Sequence, residues 1–550
     1  MRSLPLLFLL LLLGCTKKDP PPPVAPVVEN FSVLAVTVNG VSSANVFYGV
    51  SLQPQVRLSF SAPVKRSTAT SILLNVTNGG SAAYIVSYQN GDSVVLLQPS
   101  TPLAALTQHN LTVSSSVQSL RGSSLQSSST LSFVTAIDPS DKFPRITDNE
   151  LLTLVQRQTF RYFWDFAHPV SGLARERNTS GDLVTSGGSG FGIMALVTGI
   201  SRQFITRAEG LQRVQKMVAF LKNTAQIFHG AYPHWLNGAT GGVIPFSAND
   251  DGADLVETSY LIKGLLTARQ YFGGTDAAET ALRNDINVIW KRVEWNWFRK
   301  GTENVLYWHW SPGKGWAMNV QIRGWNESLI TYALAAASVD YSIPKVVYDE
   351  GWARNGAMKN GASYYGVPLP LGPAAGGPLF FAHYSFLGIN PNSLTDAYAN
   401  YGTQNVAHSA INYNYCVANP KGWYGYSDSC WGLTASDIPN AYTASSPTND
   451  LGVIAPTAAL SSFPYTPTES MKALKFFYYK LGDKIWKEYG FVDAFSLSTP
   501  WFATSFLAID QGPIIIMIEN QRTGLLWNLF MSCPEVKTGM RSLGFQSPHL

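Results

Sequence analysis

The apolar positions of the chain follow two different periods, and the period changes near residue 138. From Phe31 to Ala136, short runs alternate apolar and polar residues between turn residues, which is typical of an antiparallel β-sandwich. From Thr147 onward the apolar residues recur at helical spacing. The predicted regions are an all-β sandwich over 29–138, an all-α domain over 147–533 and a C-terminal tail over 534–550.

Capping boxes mark three helix starts in the second region. In such a box a Thr side chain accepts a hydrogen bond from the backbone N–H of a Glu three residues later, and the Glu side chain bonds the Thr N–H. The boxes are Thr147 with Glu150, Thr206 with Glu209, and Thr466 with Glu469. The predicted helices cover 147–168, 187–201, 206–229, 251–272, 276–296, 326–341, 344–359, 379–388, 395–415, 455–463, 467–482 and 512–523.

The connections between these helices alternate in length. The long connections are 169–186, 230–250, 297–325, 360–378, 416–454 and 483–511, and each of the others holds only a few residues. Six helix pairs joined in this way predict an (α/α)6 toroid whose long loops gather at one end. The N-termini of the inner helices then surround the mouth, where their partial positive charge favours anions.

Composition and charge exclude several functions. The net charge of +4 is small and forms no basic stripe, so nucleic acid is not an expected partner. The chain contains no G-x-S-x-G elbow, phosphate loop or dinucleotide fingerprint. Its four cysteines lack metal-ligand spacing, and we predict neither a metal nor a cofactor. For Cys416 and Cys430, which flank one loop, both a disulfide and two buried thiols fit the sequence.

The first fifteen residues have the pattern of a bacterial lipoprotein signal. A basic residue precedes a leucine-rich run over 4–13, which is too short to span a bilayer comfortably, and Gly14 precedes Cys15. We predict a signal peptide over 1–14, lipidation of Cys15 and a proline-rich tether over 15–28. Two acyl chains hold a protein at a membrane. This predicts a lipid-anchored protein of the cell envelope, on the periplasmic or surface face of the outer membrane. An ordinary secretory signal with an incidental cysteine is the alternative.

The long loops are rich in aromatic residues, in a chain with 15 Trp, 25 Tyr and 28 Phe. Loops usually hold polar and turn residues, whereas aromatic faces stack on the apolar C–H face of a pyranose. The rings predicted to contact sugar are Trp235, Trp308, Trp310, Trp325, Tyr365, Trp431 and Trp501. Packing of the loops onto the rim is the alternative role, which we expect for some of them.

Acidic residues cluster at the predicted starts of three inner helices. Asp250, Asp254 and Glu257 are spaced i, i+4 and i+7, which puts them on one face of a helix that starts near Asp250. Helix capping explains one of these aspartates but not the whole stripe. Glu327 and Asp510 each lie at the start of another predicted inner helix, where capping is again the alternative role. These five carboxylates are the candidate catalytic residues.

Three further polar residues are predicted to contact substrate. Arg177 lies in the first long loop, His383 on a predicted inner helix, and Gln511 directly after Asp510. His234 and His309 are expected to be structural, because a lone histidine without metal-ligand spacing is more often a hydrogen-bonding group.

Several segments resemble known bacterial families. Those at 58–64 and 97–103 resemble bacterial Ig-like domains, which act as spacers. Over about 147–533 the chain resembles the bacterial glycoamylase domain, which includes glycoside hydrolase family 144, whose characterised members cleave β-1,2-glucan. The segments that carry this resemblance are 250–257, 324–327, 377–384, 465–467 and 510–513.

The glycoamylase resemblance implies an (α/α)6 fold and hydrolysis with inversion at the anomeric carbon, without a metal. It matches Asp250, Asp254, Glu257 and Glu327 to the family's essential acidic residues, and Asp510 to the acidic residue across the cleft. Inversion needs a protonated carboxyl to donate to the leaving oxygen and a carboxylate to activate water. We assign Glu327 as the acid and Asp510 as the base, while the other three carboxylates bind substrate and raise the pKa of the acid.

The predicted partner is therefore a glucan, most closely β-1,2-glucan, and the chain is expected to be a monomer. Two alternatives belong to other classes: a polysaccharide lyase, and a non-catalytic glycan-binding surface lipoprotein. An acidic cleft would repel the uronates that a lyase cleaves, and a binding protein has no need of the acidic stripe.

Overall fold

The computed structural model describes residues 30–42, 46–77 and 79–550. They form two compact units, one within 30–103 and 109–133, the other over 104–108 and 134–550. The predicted signal peptide, Cys15 and the tether lie outside the described residues. None of the described helices is both long and apolar enough to cross a membrane.

The first unit is built from two four-stranded sheets. The strands are β1 Val33–Val38, β2 Val46–Val50, β3 Val56–Phe60, β4 Ile72–Val76, β5 Tyr84–Gln89, β6 Val94–Pro99, β7 Gln108–Val113 and β8 Ser129–Thr135. The sheet orders are β1-β3-β6-β5 and β2-β8-β7-β4. Alternate residues of β3 are buried, as period-two patterning requires, and Leu58, Val95 and Phe133 lie in one apolar core. This confirms the predicted all-β sandwich.

The second unit is helical. Its helices are α1 Asp148–Trp164, α2 Ser186–Ser201, α3 Arg207–Asn223, α4 Leu255–Tyr271, α5 Ala277–Lys291, α6 Leu329–Ala337, α7 Lys345–Val347, α8 Tyr401–Ala418, α9 Pro456–Leu460, α10 Pro467–Tyr479, α11 Gly482–Ile485, α12 Ala508–Thr523, α13 Leu525–Met531 and α14 Pro534–Leu543. Short strands in its loops are β9 Leu183–Thr185, β10 Trp235–Asn237, β11 Val243–Ile244, β12 Ala253–Asp254, β13 His309–Trp310, β14 Ser363–Tyr364, β15 Val367–Pro368, β16 Ala435–Ile438, β17 Ala441–Ala444, β18 Trp486–Lys487, β19 Gly490–Phe491, β20 Phe495–Ser496 and β21 Trp501–Phe502.

An inner ring of helices is buried around nearly its whole circumference. It contains α2, α4, α6, α9 and α12, and two 3-10 turns, Leu379–Ala382 and Ser385–Leu387, take the remaining inner position. Helices α1, α3, α5, α7, α8 and α10 form the outer partners. Close approach of α2 and α4 depends on Gly190, where a Cβ would lie 2.2 Å from the carbonyl oxygen of Tyr260. The arrangement confirms the predicted (α/α)6 toroid.

Several element predictions are corrected by the structure. The predicted helix over 344–359 is α7 followed by a π turn, Tyr348–Trp352, and that over 379–388 is the pair of 3-10 turns. Thr147 and Thr206 form complete capping boxes, but the side chain of Thr466 caps no N–H group. The predicted tail over 534–550 contains α14, whose Val536 and Met540 are buried in the core of the toroid.

The cysteines of the described residues are free thiols. Cys416, Cys430 and Cys533 are each buried in the toroid core. Of the two alternatives for Cys416 and Cys430, the structure therefore has buried thiols.

Candidate active site

A cavity of about 460 Å³ lies at the mouth of the toroid, beside the starts of the inner helices. Its walls are Glu176, Arg177, Thr185, His234, Trp235, Phe246, Phe380, Tyr384, Ala435, Tyr442, Ala444, Leu507 and Ile509. A second cavity of about 600 Å³ shares Arg177 and Tyr442 with it and is also lined by Asp437, Trp501 and Ser505. The two cavities thus adjoin at these shared side chains.

Asp254 is the N-cap of α4. Its Oδ1 accepts hydrogen bonds from the backbone N–H groups of Val256 at 3.0 Å and Glu257 at 2.9 Å. Its Oδ2 lies 3.0 Å from Nδ1 of His234. The prediction that Asp250, Asp254 and Glu257 share a helical face is wrong in detail, because α4 begins only at Leu255.

Asp250 reaches the same place from the preceding loop. Strand β12 pairs with β13, which sets Asp254 opposite His309. Nε2 of His309 then lies 3.5 Å from Asp250 Oδ2 and 3.8 Å from Asp254 Oδ2. Strand pairing therefore gathers the carboxylates that the sequence analysis placed together by helical spacing.

Glu257 lies against the N-terminus of α2. Its Oε2 accepts the backbone N–H of Gly187 at 2.9 Å and the hydroxyl of Thr185 at 3.3 Å. A Cβ at residue 187 would lie only 2.2 Å from that oxygen, so the close approach requires glycine. Burial, together with the nearby charge of Asp254, nevertheless raises the pKa of Glu257.

His234 balances part of this negative charge, whereas burial lowers the pKa of His309. Burial alone would lower the pKa of His234, but the charge of Glu257 and the hydrogen bond with Asp254 raise it to about 9. Burial opposes ionisation of Asp254, yet the contacts with His234 and His309 hold its pKa below the ordinary value. Burial and the charge of Asp254 raise the pKa of Asp250 to about 7. His234 is therefore a cation at neutral pH.

The same group has the composition of a metal site. One ligand atom from each of His234, Asp250 and Asp254 lies within 4.8 Å of the others, and no other such trio occurs in the described part of the chain. Imidazole and carboxylate are ligands that zinc accepts. The raised pKa of His234 is another way in which this group can carry a positive charge.

Glu327 lies two residues before α6 and faces the same carboxylates. Its carbonyl oxygen accepts hydrogen bonds from the hydroxyls of Ser385 and Tyr260, which anchor the backbone. Burial and the charges of Glu257 and Asp254 raise the pKa of the Glu327 carboxyl to about 7. A carboxyl with that pKa can hold a proton near neutral pH and release it to a leaving group.

Asp510 lies in the first turn of α12 and is 2% exposed. The helix begins at Ala508, four residues earlier than the predicted start at 512. Burial and the neighbouring Asp493 hold the pKa of Asp510 well above its ordinary value. Asp510 is thus a second carboxyl that can carry a proton at the mouth.

Tyr384 is a residue that the sequence analysis missed. It lines the first cavity and lies close enough to Asp510, Glu257 and Glu327 for their charges to raise the pKa of its hydroxyl. His383, chosen instead, is buried, shares a hydrogen bond with Ser462 and has a pKa lowered to about 3 by burial. His383 and Tyr384 lie between the two 3-10 turns, at the end of one and the start of the next.

The predicted aromatic contacts divide into two groups. Trp235 and Trp501 line the two cavities, and Trp308 and Trp310 flank His309. Trp325 and Trp431 are buried in the toroid core, and the side-chain amide of the equally buried Gln511 donates to the Phe491 carbonyl. Tyr365 packs edge-on against Tyr415 and lines neither cavity. Burial of Trp325, Trp431 and Gln511 favours the alternative role of packing the loops. Tyr365 is 43% exposed, and its contact with sugar stays a prediction.

Other groups at the mouth also escaped the sequence analysis. They are His234 and His309, which were expected to be structural, and Glu176, Asp437, Tyr442 and Asp493. Asp437 and Tyr442 belong to the β16–β17 hairpin, where they pair directly with each other. Arg177, which was predicted, pairs with Glu176 at 2.9 Å and with Asp437 at 3.3 Å.

Comparison with known proteins decides the family. The Glycoamylase family model, described as "Putative glucoamylase", matches residues 319–534. A solved structure from Bacteroides uniformis with the same description is 56% identical over 74% of this chain and 100% of its own, with a TM-score of 0.73. The chain belongs to the glycoamylase family. Residues 33–135 match the bacterial Ig-like domain model.

Two further glycoamylase relatives carry names that state an activity. An endo-β-1,2-glucanase from Chitinophaga pinensis, solved with sophorotriose and glucose, is 51% identical over 74% of this chain and 100% of its own, with a TM-score of 0.72. An exo-β-1,2-glucooligosaccharide sophorohydrolase (non-reducing end) from Parabacteroides distasonis is 48% identical over 421 residues, or 72% of this chain. The alignment spans 58% of that curated relative's length.

Proposed function

We propose that this glycoamylase-family protein is a glycoside hydrolase that cleaves β-1,2-glucan. The observation that carries the proposal is a mouth that combines two buried carboxyls with raised pKa, Glu327 and Asp510, with an anionic group around Asp254 and the rings of Trp235 and Trp501. The Chitinophaga and Parabacteroides relatives, whose names specify β-1,2-linked glucans, support this substrate. The adjoining cavities provide room for sugar units on both sides of Tyr442.

The proposed reaction is direct displacement with inversion. Glu327 donates its proton to the leaving glycosidic oxygen, while Asp510 accepts a proton from the water that attacks the anomeric carbon. Burial, with the charges of Glu257 and Asp254, favours the protonated form of Glu327 before reaction. Tyr384, which lines the cavity, is placed to contact the reacting sugar.

A substrate screen tests the proposed function. Purified protein is incubated with linear β-1,2-glucan, with β-1,3- and β-1,4-glucans and with a uronate polymer, and the products are separated by chromatography. We expect short β-1,2-linked oligosaccharides from the first polymer alone. New ultraviolet absorbance from the uronate polymer would instead indicate a lyase, and binding without products would indicate a glycan-binding protein.

We also propose that the protein is a lipoprotein of the cell envelope that acts as a monomer. Gly14 followed by Cys15 after a short apolar run supports lipidation. Cys15→Ser should release the protein from the membrane fraction, because the acyl chains then have no acceptor, and turnover should be unchanged. Immunoblots of separated fractions check this, and a variant that stays in the membrane fraction would contradict the proposed anchor.

The sandwich is proposed to be a spacer, since the cavities described above are lined by toroid residues alone. A chain beginning at Pro139 should keep its turnover on soluble glucan within about twofold. Leu106 and Ile137, which pack on the toroid core, are lost, so we expect Tm to fall by roughly 2–4 °C. Thermal unfolding and initial rates measure the two effects. A large loss of turnover in folded, truncated protein would show that the removed residues support the site.

A further inference from the structure

Asp493 and Asp510 are two buried aspartates whose side chains lie within interacting distance of each other. Each residue is 2% exposed. An ionised carboxylate has no hydrogen to donate, so a hydrogen bond between the two carboxyls needs a proton on one of them. Such a bond shares one proton between the two side chains, as in other buried carboxyl pairs.

Asp493 is fixed in place on the side away from Asp510. Its Oδ2 accepts the backbone N–H of Asp437 at 2.6 Å, and its own N–H donates to the carbonyl of Ser505 at 2.9 Å. In each carboxyl one buried oxygen, Oδ1 of Asp493 and Oδ2 of Asp510, has no donor from another described group. Only a proton on the pair can satisfy such an oxygen within the protein.

Charged groups from several elements face the pair. Asp437 on β16 and Glu176 in the loop after α1 add negative charge, and Arg177 is bonded to both of them. The hydroxyls of Tyr384 and Tyr442 are also close to Asp510. One guanidinium thus faces two further carboxylates, which disfavours a second negative charge on the pair. Burial also raises the pKa of Asp493, to about 7.

We propose that Asp493 is the positioning partner of Asp510: the two carboxyls share one proton, and Asp493 holds it while Asp510 accepts a proton from water. The role in turnover rests on the proposed hydrolysis, whereas the shared proton does not. Asp493 touches no reacting atom and acts through Asp510.

The proton balance of the step closes without another reactant. An O–H bond of water breaks, its oxygen bonds to the anomeric carbon, and its proton passes to Asp510. The electron pair of the broken glycosidic bond stays on the leaving oxygen, which takes the proton of Glu327. Asp493 and Asp510 are then both neutral and Glu327 is ionised, and transfer of one proton through solvent to Glu327 restores the starting state.

A double-mutant cycle on stability tests the shared proton without substrate. Asp493→Asn, Asp510→Asn and the double variant are unfolded thermally at about pH 5 and about pH 8. A carboxyl whose folded pKa is raised contributes stability that is complete below its unfolded pKa and is lost as pH rises through the folded pKa. For this pair the loss falls between about pH 4 and pH 7 or above, since Asp493 has a folded pKa of about 7.

Each single substitution leaves one carboxyl beside a neutral amide. It should therefore remove most of the stability loss that occurs as pH rises. We therefore expect either variant to gain Tm relative to wild type at the higher pH by roughly 2 °C or more, and the double variant to gain no more than either single one. Additive gains would mean that the two carboxyls titrate independently, which would overturn the proposal.

Asp450→Asn is the matched control. Asp450 is equally buried, but its carboxylate accepts hydrogen bonds from the hydroxyls of Tyr415 and Tyr426, and not from the pair. Combined with Asp510→Asn, its effect on Tm should be additive at both pH values. If the substitutions prevent folding, infrared spectra of wild-type protein labelled with ¹³C-aspartate test the shared proton instead. The absence of a protonated aspartate band at neutral pH would overturn the proposal.

Kinetics test the role of Asp493 in turnover. For Asp493→Asn we expect kcat to stay within a few-fold of wild type, because the neutral amide replaces the protonated carboxyl and can still donate to Asp510. Asp493→Leu can do neither and should lower kcat by about 10- to 100-fold with KM nearly unchanged. A coupled stability cycle together with unchanged kcat in Asp493→Leu would keep the shared proton and overturn the assigned role. Wild-type protein that is inactive on glucan but shows the coupled cycle would instead refute the proposed function alone.

Discussion

Glu327→Gln should lower kcat on β-1,2-glucan by about 10²–10⁴-fold while the protein still binds oligosaccharide, because an amide keeps the shape but cannot donate a proton to the leaving oxygen. KM should change little, since the lost interaction is made only in the transition state. Initial rates and oligosaccharide binding by calorimetry measure the two effects.

The pH dependence follows from the same residue. Glu327 must be protonated to act as the acid, so kcat/KM of the wild-type protein should fall as pH rises through about 7, the raised pKa of this carboxyl. The residual activity of Glu327→Gln should lack that alkaline limb. Glu303→Gln, in an exposed residue of the preceding long loop, is the control and should keep the wild-type profile. If Glu327→Gln retained wild-type kcat, another group would have to be the acid.

Asp510→Asn should give the second large loss, again about 10²–10⁴-fold in kcat, because no group then accepts a proton from the attacking water. Binding should persist, as the amide retains most of the hydrogen bonding. The same variant should be more stable than wild type at alkaline pH, since burial raises the pKa of Asp510 and its ionisation weakens the folded state.

Rates and thermal unfolding of this variant, each measured across pH, check both statements. Asp483→Asn, an exposed aspartate in the first turn of α11, is the matched control and should change neither. A variant that keeps its turnover would refute Asp510 as the base. A variant that loses stability at alkaline pH would refute the raised pKa of Asp510.

The toroid was predictable because short-range sequence patterns indicate its helices and the lengths of their connections. Capping at Thr147 and Thr206 depends on neighbours three residues away, and alternating connection lengths report the pairing of helices. The fourth inner position, 379–388, was predicted as an α-helix because its apolar residues have helical spacing. The two 3-10 turns, stacked within the inner ring, follow from tertiary packing that overrides local preference.

The candidate site was predictable only in part. Glu327 and Asp510 lie at the starts of inner helices, so their place at the mouth follows from topology. Asp493 carried no signal, because its partner Asp510 and the Asp437 N–H that holds it come from other segments. Trp431 and Trp325 are buried, because an aromatic residue in a long loop can belong to the core as readily as to the cleft. The sequence therefore located the mouth and two of its carboxyls better than its lining.

The stereochemistry of hydrolysis tests the central claim most directly. Linear β-1,2-glucan is incubated with the purified protein at high concentration, and proton NMR follows the anomeric signals of the products before mutarotation. An acid and a base that act on opposite faces of the sugar predict that β linkages give α-anomeric products first, together with oligosaccharides that remain β-1,2-linked. Early release of the β anomer would contradict the pairing of Glu327 with Asp510, and the absence of any new reducing end would contradict glucan hydrolysis itself.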